Sequence, residues 1–192
     1  MSRVRVATVA VVTALAVTGL SGVATAATTT ASSGSLLVQE DSAFLQKSAA
    51  AGIVAVALPS ATADYSRGAG LSASFPVTAG SVSLSGYYGT VQLGGGLLLI
   101  NVKNGKFVIF KHLAFSADNW AITGIPAGHT TPVNLFDPAS STITNGATQT
   151  LVSSDLQVDA DGAKYLDAKL KSTFFVAGQH TGGASLTFTA GS

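Results

Sequence analysis

The sequence predicts a mainly β fold: an antiparallel β-sandwich, with a barrel-like closure as the alternative, carrying two short α-helices near the ends of the mature chain. Three observations lead there. Apolar residues alternate with polar or small ones at period two through much of the chain, as strands with one buried face require. Gly, Asn, Asp and Pro punctuate those runs at the short intervals of sandwich and barrel folds. Apolar residues at helical spacing stand out near each end of the domain.

In chain order, residues 1–26 read as a signal peptide. Arg3 and Arg5 precede an uncharged apolar stretch over 6–23, and Ala24-Thr25-Ala26 supplies the small-x-small site for cleavage after Ala26. A membrane anchor is the competing reading, disfavoured because Gly, Thr and Ser interrupt the stretch and no stop-transfer charge follows it. Residues 27–34 form a flexible Thr/Ser/Ala-rich leader with nothing to bury. Residues 35–192 form a single domain, long enough to bury roughly 70% of its unfolded surface.

A strand is expected over 36–38. A helix over 41–51 follows, with Phe44, Leu45 and Ala49 on one face, Asp41 at its amino-terminal end and Gly52 just past its carboxyl end. An apolar strand over 53–58 stops at Pro59, and 60–70 reads as a loop carrying Tyr65 and Arg67. Leu71, Ala73, Phe75 and Val77 face one way, as do Val82 and Leu84, while Pro76 assigns that strand to an edge or a bulge. The centre of the fold is expected at 86–115, where two apolar, β-branched and aromatic runs flank Asn104-Gly105. Asn-Gly in that setting favours a type I′ hairpin turn, whose two central residues both need positive φ. Gly94-Gly95-Gly96 reads as a sheet bend or bulge, because no Gly-Lys-Ser/Thr follows to make a phosphate cradle.

Further strands are expected over 119–125, 131–136 and 147–153, separated by turns at 124–128, Asp137-Pro138 and Asn145-Gly146. The last part comprises a strand over 156–158, a helix over 159–170 with Leu166 and Leu170 on its buried face, a strand over 173–177 and a closing strand from Leu186. At a constant offset of 120, Leu36, Val38, Asp41, Ala43, Val56 and Ala57 recur as Leu156, Val158, Asp161, Ala163, Val176 and Ala177. Two such strand–helix–strand units are either a duplication or two independent edges.

Composition narrows the function. Charged residues make up 10% of the chain, against the usual ~25%. Arg3 and Arg5 leave with the signal peptide, so eight of the ten basic residues remain against nine acidic ones, scattered from Lys47 to Lys171. Without a basic stripe to neutralise phosphates, nucleic acid is not an expected partner. The absence of cysteine excludes disulfides, thiolate catalysis and Cys-based metal sites. Asp159-Ala160-Asp161-Gly162 looks like the middle of a calcium loop, but positions one and twelve would be Gln157 and Ala168, so helix capping accounts for the aspartates. His112, His129 and His180 have no second histidine or carboxylate at metal-ligand spacing, and no metal is expected.

No Gly-x-Ser-x-Gly, Ser-x-x-Lys or His-Glu-x-x-His motif occurs. Glu40 is the only glutamate, which leaves a glycosidase-type carboxylate pair to scattered aspartates. The expectation is therefore a protein without a catalytic site. His112 shares a strand face with Val108 and Phe110, either as a hydrogen-bonded core residue or as a ligand. Tyr87, Tyr88 and Trp120 join it as candidate ligand-binding residues, since their rings suit stacking on a sugar or a flat apolar molecule; the simpler reading has Trp120 filling the core.

The runs FPVTAGSVSLSGYYGTVQLGGGLLLI, LQVDADGAKYLDAKLK and FFVAGQHTGG are similar in layout to exported actinobacterial proteins, a resemblance that carries no activity with it. Within them, 80–113 resembles the HtaA-type domain of secreted haem-uptake proteins, in which a Gly-His-x-Gly-like element precedes an apolar strand. Here that element is Gly86-Tyr87-Tyr88-Gly89, with tyrosine in place of histidine, and the family's amino-terminal Trp-Gly and Ser-Phe-x-x-Tyr elements are missing. The resemblance implies a haem-binding protein, using Tyr87, Tyr88 or His112, as the alternative function. The leading expectation is a secreted, non-catalytic cell-envelope or extracellular binding or structural protein, with no resident cofactor and no membrane span after signal cleavage. A sugar-binding module using Trp120 is the third.

Overall fold

The computed structural model describes residues 31–66 and 70–191; the expected signal peptide, residues 27–30 of the expected leader, and Arg67 lie outside the described residues. The elements in order are β1 (Ser33–Glu40), α1 (Ser42–Ala51), β2 (Ile53–Leu58), β3 (Thr62–Ser66), β4 (Gly70–Ser83), β5 (Tyr88–Leu93), β6 (Gly96–Asn101), β7 (Lys106–Ser116), β8 (Ala121–Pro126), β9 (Val133–Thr144), β10 (Thr148–Val158), α2 (Ala160–Leu170) and β11 (His180–Thr189).

Every strand pairing is antiparallel. The sheet runs β7-β5-β4-β1-β11-β10-β9-β8, and β8 pairs back onto β7. It closes as an eight-stranded barrel, which leaves the free edges to the strands outside the ring, β2 and β3. β6 and β2 continue outward from the first half of β7, and β3 pairs with β4. The inward set includes Leu36, Phe75, Val91, Phe115, Leu151 and Leu186, all in one buried cluster.

The stretch expected at the centre does hold the hub. Residues 106–110 of β7 pair with β6, residues 114–116 pair with β5, and the other edge pairs with β8 across a register shift between Lys111 and Ala114. His112 sits in that shift with φ 48° and is exposed. The bulge turns it away from the face of Val108 and Phe110, so it is not the core residue that its spacing suggested. The connection at Asn104-Gly105 also differs from expectation. Asn101 pairs with Lys106, which leaves a four-residue loop, and only Gly105 of the two takes positive φ, at 71°. Asn104 is instead held by its side chain, which donates to the Leu170 carbonyl (3.0 Å) and accepts from the Lys106 amide (2.9 Å).

Other elements are longer, or different, for reasons of pairing. Part of the expected loop over 60–70 is β3, because β4 offers it an edge. Pro76 lies where that edge of β4 passes from β3 to β5: its carbonyl accepts from the Gly94 amide (2.7 Å), so its missing N–H faces the gap between partners. Asp137-Pro138 is not a turn but the middle of β9, with Pro138 opposite Leu156. Residues 173–177 form no strand, and β11 begins at His180. The 120-residue offset does not align the helix caps either, since Asp41 caps α1 whereas Asp161 lies inside the first turn of α2.

The two helices sit differently. α2 packs against β9 and β7, with Ala163, Leu166 and Leu170 buried. A Cβ on Gly162 would come 2.7 Å from the Asn134 carbonyl oxygen, so only glycine lets the helix lie this close to β9. Asp159 caps its start by accepting from the Asp161 and Gly162 amides (2.7 and 3.1 Å), and the Asn101 and Asn104 amides both donate to Leu170 at its end. α1, capped by Asp41 and ended by Gly52 at φ 82°, packs against β2 and β4 and buries only Ser48.

Candidate functional site

Beneath α1 the barrel interior is not filled. A partly open cavity of about 260 Å³ lies between α1, the β2–β6 extension and the inner face of the barrel. Its walls are Leu, Ile, Val, Ala and Phe side chains, among them Phe75, Leu97, Leu135 and Phe175, with three polar residues: Glu40, Ser48 and Thr181. Two of these are satisfied within the fold. The Ser48 hydroxyl donates to the Leu45 carbonyl (3.0 Å), and the Thr181 hydroxyl donates to the Leu156 carbonyl (2.8 Å).

Glu40 is different. The period-two pattern of β1 sends Leu36, Val38 and Glu40 to the same face, so a carboxyl ends an apolar row in the cavity wall. Its side chain has no hydrogen bond or ion pair with any described residue, and burial alone raises its pKa from 4.5 to about 7.

The four candidate residues from the sequence are not in this cavity. Tyr87 and Trp120 do meet: their ring centroids are 4.9 Å apart, and both residues take positive φ, at 56° and 51°. Trp120 also packs on Phe115 at 5.7 Å and donates its indole N–H to the Pro138 carbonyl (3.2 Å), so it seals the core margin. Tyr87 and Tyr88 are 60% and 61% exposed. His112 lies in an open depression of about 260 Å³ on the outer face with Thr90, Gln92 and Ser116. Thr90 pairs with Ser116, four residues along β7 from His112, which at strand rise is roughly 13 Å. Tyr88 lies beyond Thr90 in the opposite direction, so the tyrosine pair and His112 occupy different parts of the surface.

Comparison with solved structures finds the C-terminal domain of HtaA from Corynebacterium glutamicum, with a TM-score of 0.53 and 10% sequence identity, covering 84% of this chain and 98% of that domain. The two share a fold. No protein-family model matches the sequence, and no curated protein does. The likeness agrees with the partial resemblance over 80–113, and at this identity it speaks for architecture alone.

Two further groupings were invisible in the sequence. His180 Nδ1 lies 2.6 Å from Asp155 Oδ1 and its Nε2 lies 3.7 Å from Asp41 Oδ2, and the hydrogen bond from His180 holds the Asp155 carboxyl below its ordinary range. Asp137 is raised from 3.8 to about 6 by burial, by the charge of Asp159 and by a hydrogen bond with that residue. No group of three or more His, Asp or Glu among the described residues is placed to hold a metal ion, and no described helix is long and apolar enough to cross a membrane. The one signal that pointed to the cavity residue was the alternation Leu36, Val38, Glu40, which puts a carboxyl where the pattern calls for an apolar side chain.

Proposed function

We propose that this is a secreted, non-catalytic binding protein of the cell envelope or extracellular space that holds a small, slender apolar molecule in the cavity beneath α1. The cavity itself carries the reading. Its volume exceeds the ~10–15 Å³ needed by one water and approaches the lower end of the ~300–1,000 Å³ of small-molecule sites, which are likewise mostly apolar with a few polar groups. The cavity is partly open, so its apolar walls are in reach of water, and a ligand that fills the space removes them from it. The amino-terminal signal-peptide pattern supports export, and the absence of a catalytic motif supports binding over turnover. Haem ligation by Tyr87, Tyr88 or His112 gains no support from the cavity, since none of the three lines it.

The test is saturable binding of an uncharged environment-sensitive dye, N-phenyl-1-naphthylamine, to the mature chain. One dye per chain is expected, with binding lost in Ala73→Phe, which fills the cavity from β4. No saturable binding, or binding indifferent to that substitution, would refute the assignment.

A further inference from the structure

The cavity contains one ionisable group, and nothing described in the protein answers it. α1 presents Phe44, Leu45, Ser48 and Ala49 to the space, β4 presents Leu71, Ala73 and Phe75, β11 presents Thr181, and the remaining lining residues are apolar, so among the described residues no second titratable side chain lines it. The described acids and bases beside it in the chain or across the sheet are turned elsewhere: Asp41 caps α1 and faces His180, His180 is held by Asp155, and Lys47 is exposed on α1.

A carboxylate largely withdrawn from water with no partner among the described residues is costly, and the cost is removed by a cation within hydrogen-bond reach. A bare hydrocarbon would leave it unpaired, a fatty acid would add a like charge, and a neutral alcohol would offer a single weaker donor. A primary ammonium supplies three donors and the opposite charge on a compact head. The apolar walls would take the attached chain. We propose that the ligand is an amphipathic amine: a slender apolar chain ending in one primary ammonium, with the head on the Glu40 carboxylate and the chain among Leu36, Val38, Phe75 and Leu135. This rests on the binding reading above and names its ligand class.

The experiment displaces the bound dye with octylamine, octanol and octanoate at pH 8 and pH 5.5, using the mature chain, Glu40→Gln and Arg67→Ala. At pH 8 octylamine should bind at least tenfold more tightly than octanol, with octanoate weakest. Because the ammonium binds only the ionised carboxyl, octylamine affinity should fall about 30-fold between pH 8 and pH 5.5. Octanol affinity should change little. Glu40→Gln should bring octylamine down to the level of octanol and remove its pH dependence, and Arg67→Ala should match the parent. Octanol binding as tightly as octylamine, or an amine preference that survives Glu40→Gln, would overturn the ligand class while leaving the cavity reading intact. Octylamine affinity more than threefold higher in Arg67→Ala would also overturn it, by assigning the carboxylate a partner within the chain. Failure of the dye itself to bind would remove the binding reading and this inference with it.

Discussion

The barrel carries one helix over a filled interior and one over an empty space. α2 meets its sheet with Ala163, Leu166 and Leu170, lies directly on β9 through Gly162, and is tied at both ends by Asp159 and by Asn101 with Asn104. α1 offers mainly small or half-buried residues, and the space below it stays open. Each side also has a polar group without a partner among the described residues. Under α2 it is the buried hydroxyl of Tyr165, whose ring packs against Phe110 at 5.8 Å. Under α1 it is the Glu40 carboxyl. Only the carboxyl faces room for a second molecule, and that separates a packing imperfection from a site. A helix that fills its groove serves stability; one that leaves it open can serve binding.

Truncation should separate the two ends most clearly. Leu170→Ala is expected to cost about 3–4 kcal/mol, because the leucine is wholly buried and its neighbours are fixed. Leu45→Ala, in the cavity wall, should cost about 1 kcal/mol or less, since much of its surface already faces empty space. Urea unfolding of both variants measures the contrast, and equal losses would abolish it.

The next effect concerns pH. Glu40 titrates near 7 when folded and near 4.5 when unfolded, so between these values the folded chain holds a proton that the unfolded chain releases. Stability therefore falls as pH rises from about 4.5 to about 7. Asp137, raised from 3.8 to about 6, acts in the same direction over a lower window, while Asp155, whose pKa is lowered, opposes it in more acidic solution. Glu40→Leu should stabilise the unliganded protein by roughly 2–3 kcal/mol at pH 8 and by almost nothing at pH 4.5. Thermal melts at the two pH values provide the measurement, and a gain that is the same at both would show that burial of the charge is not the cause.

Asn101→Ala should cost about 1–2 kcal/mol by removing a buried donor from the end of α2, whereas at the end of α1 Gly52 caps through its backbone and the side-chain donor is the solvent-exposed Lys103 Nζ on the Ala50 carbonyl (2.6 Å). Smallest of all, Tyr165→Phe should be neutral or stabilising by up to about 1 kcal/mol, since the hydroxyl it removes has no partner among the described residues. A loss above that would reveal a partner for the hydroxyl and weaken the parallel with Glu40.

The two ends also differ in how openly the sequence announces them. Leu166 and Leu170 at helical spacing behind Asp159 specify a packed, capped helix, and α2 has that form. Asp41 and Gly52 specify the limits of α1 equally well. The empty space beneath it has no sequence signature, because volume is what remains after ten elements have contributed wall residues from 36 to 181. His112 shows the same limit at single-residue scale. Its spacing from Phe110 assigns it to the inner face, and a register shift that depends on β5, β6 and β8 turns it outward.

By itself, then, the amino-acid order determined which residues alternate, which form helices, where Asp41, Gly52 and Asp159 bound those helices, and that one carboxyl interrupts the apolar row of β1. These are local properties, decided within a few residues by backbone geometry and side-chain size. Tertiary structure alone decided that β8 closes onto β7, that β9 runs through Asp137-Pro138, that Tyr87 and Trp120 meet while His112 stands apart, and that Glu40 faces an unfilled space. Period two tells a strand which face to bury but not beside which strand, and every one of those outcomes depends on the neighbour.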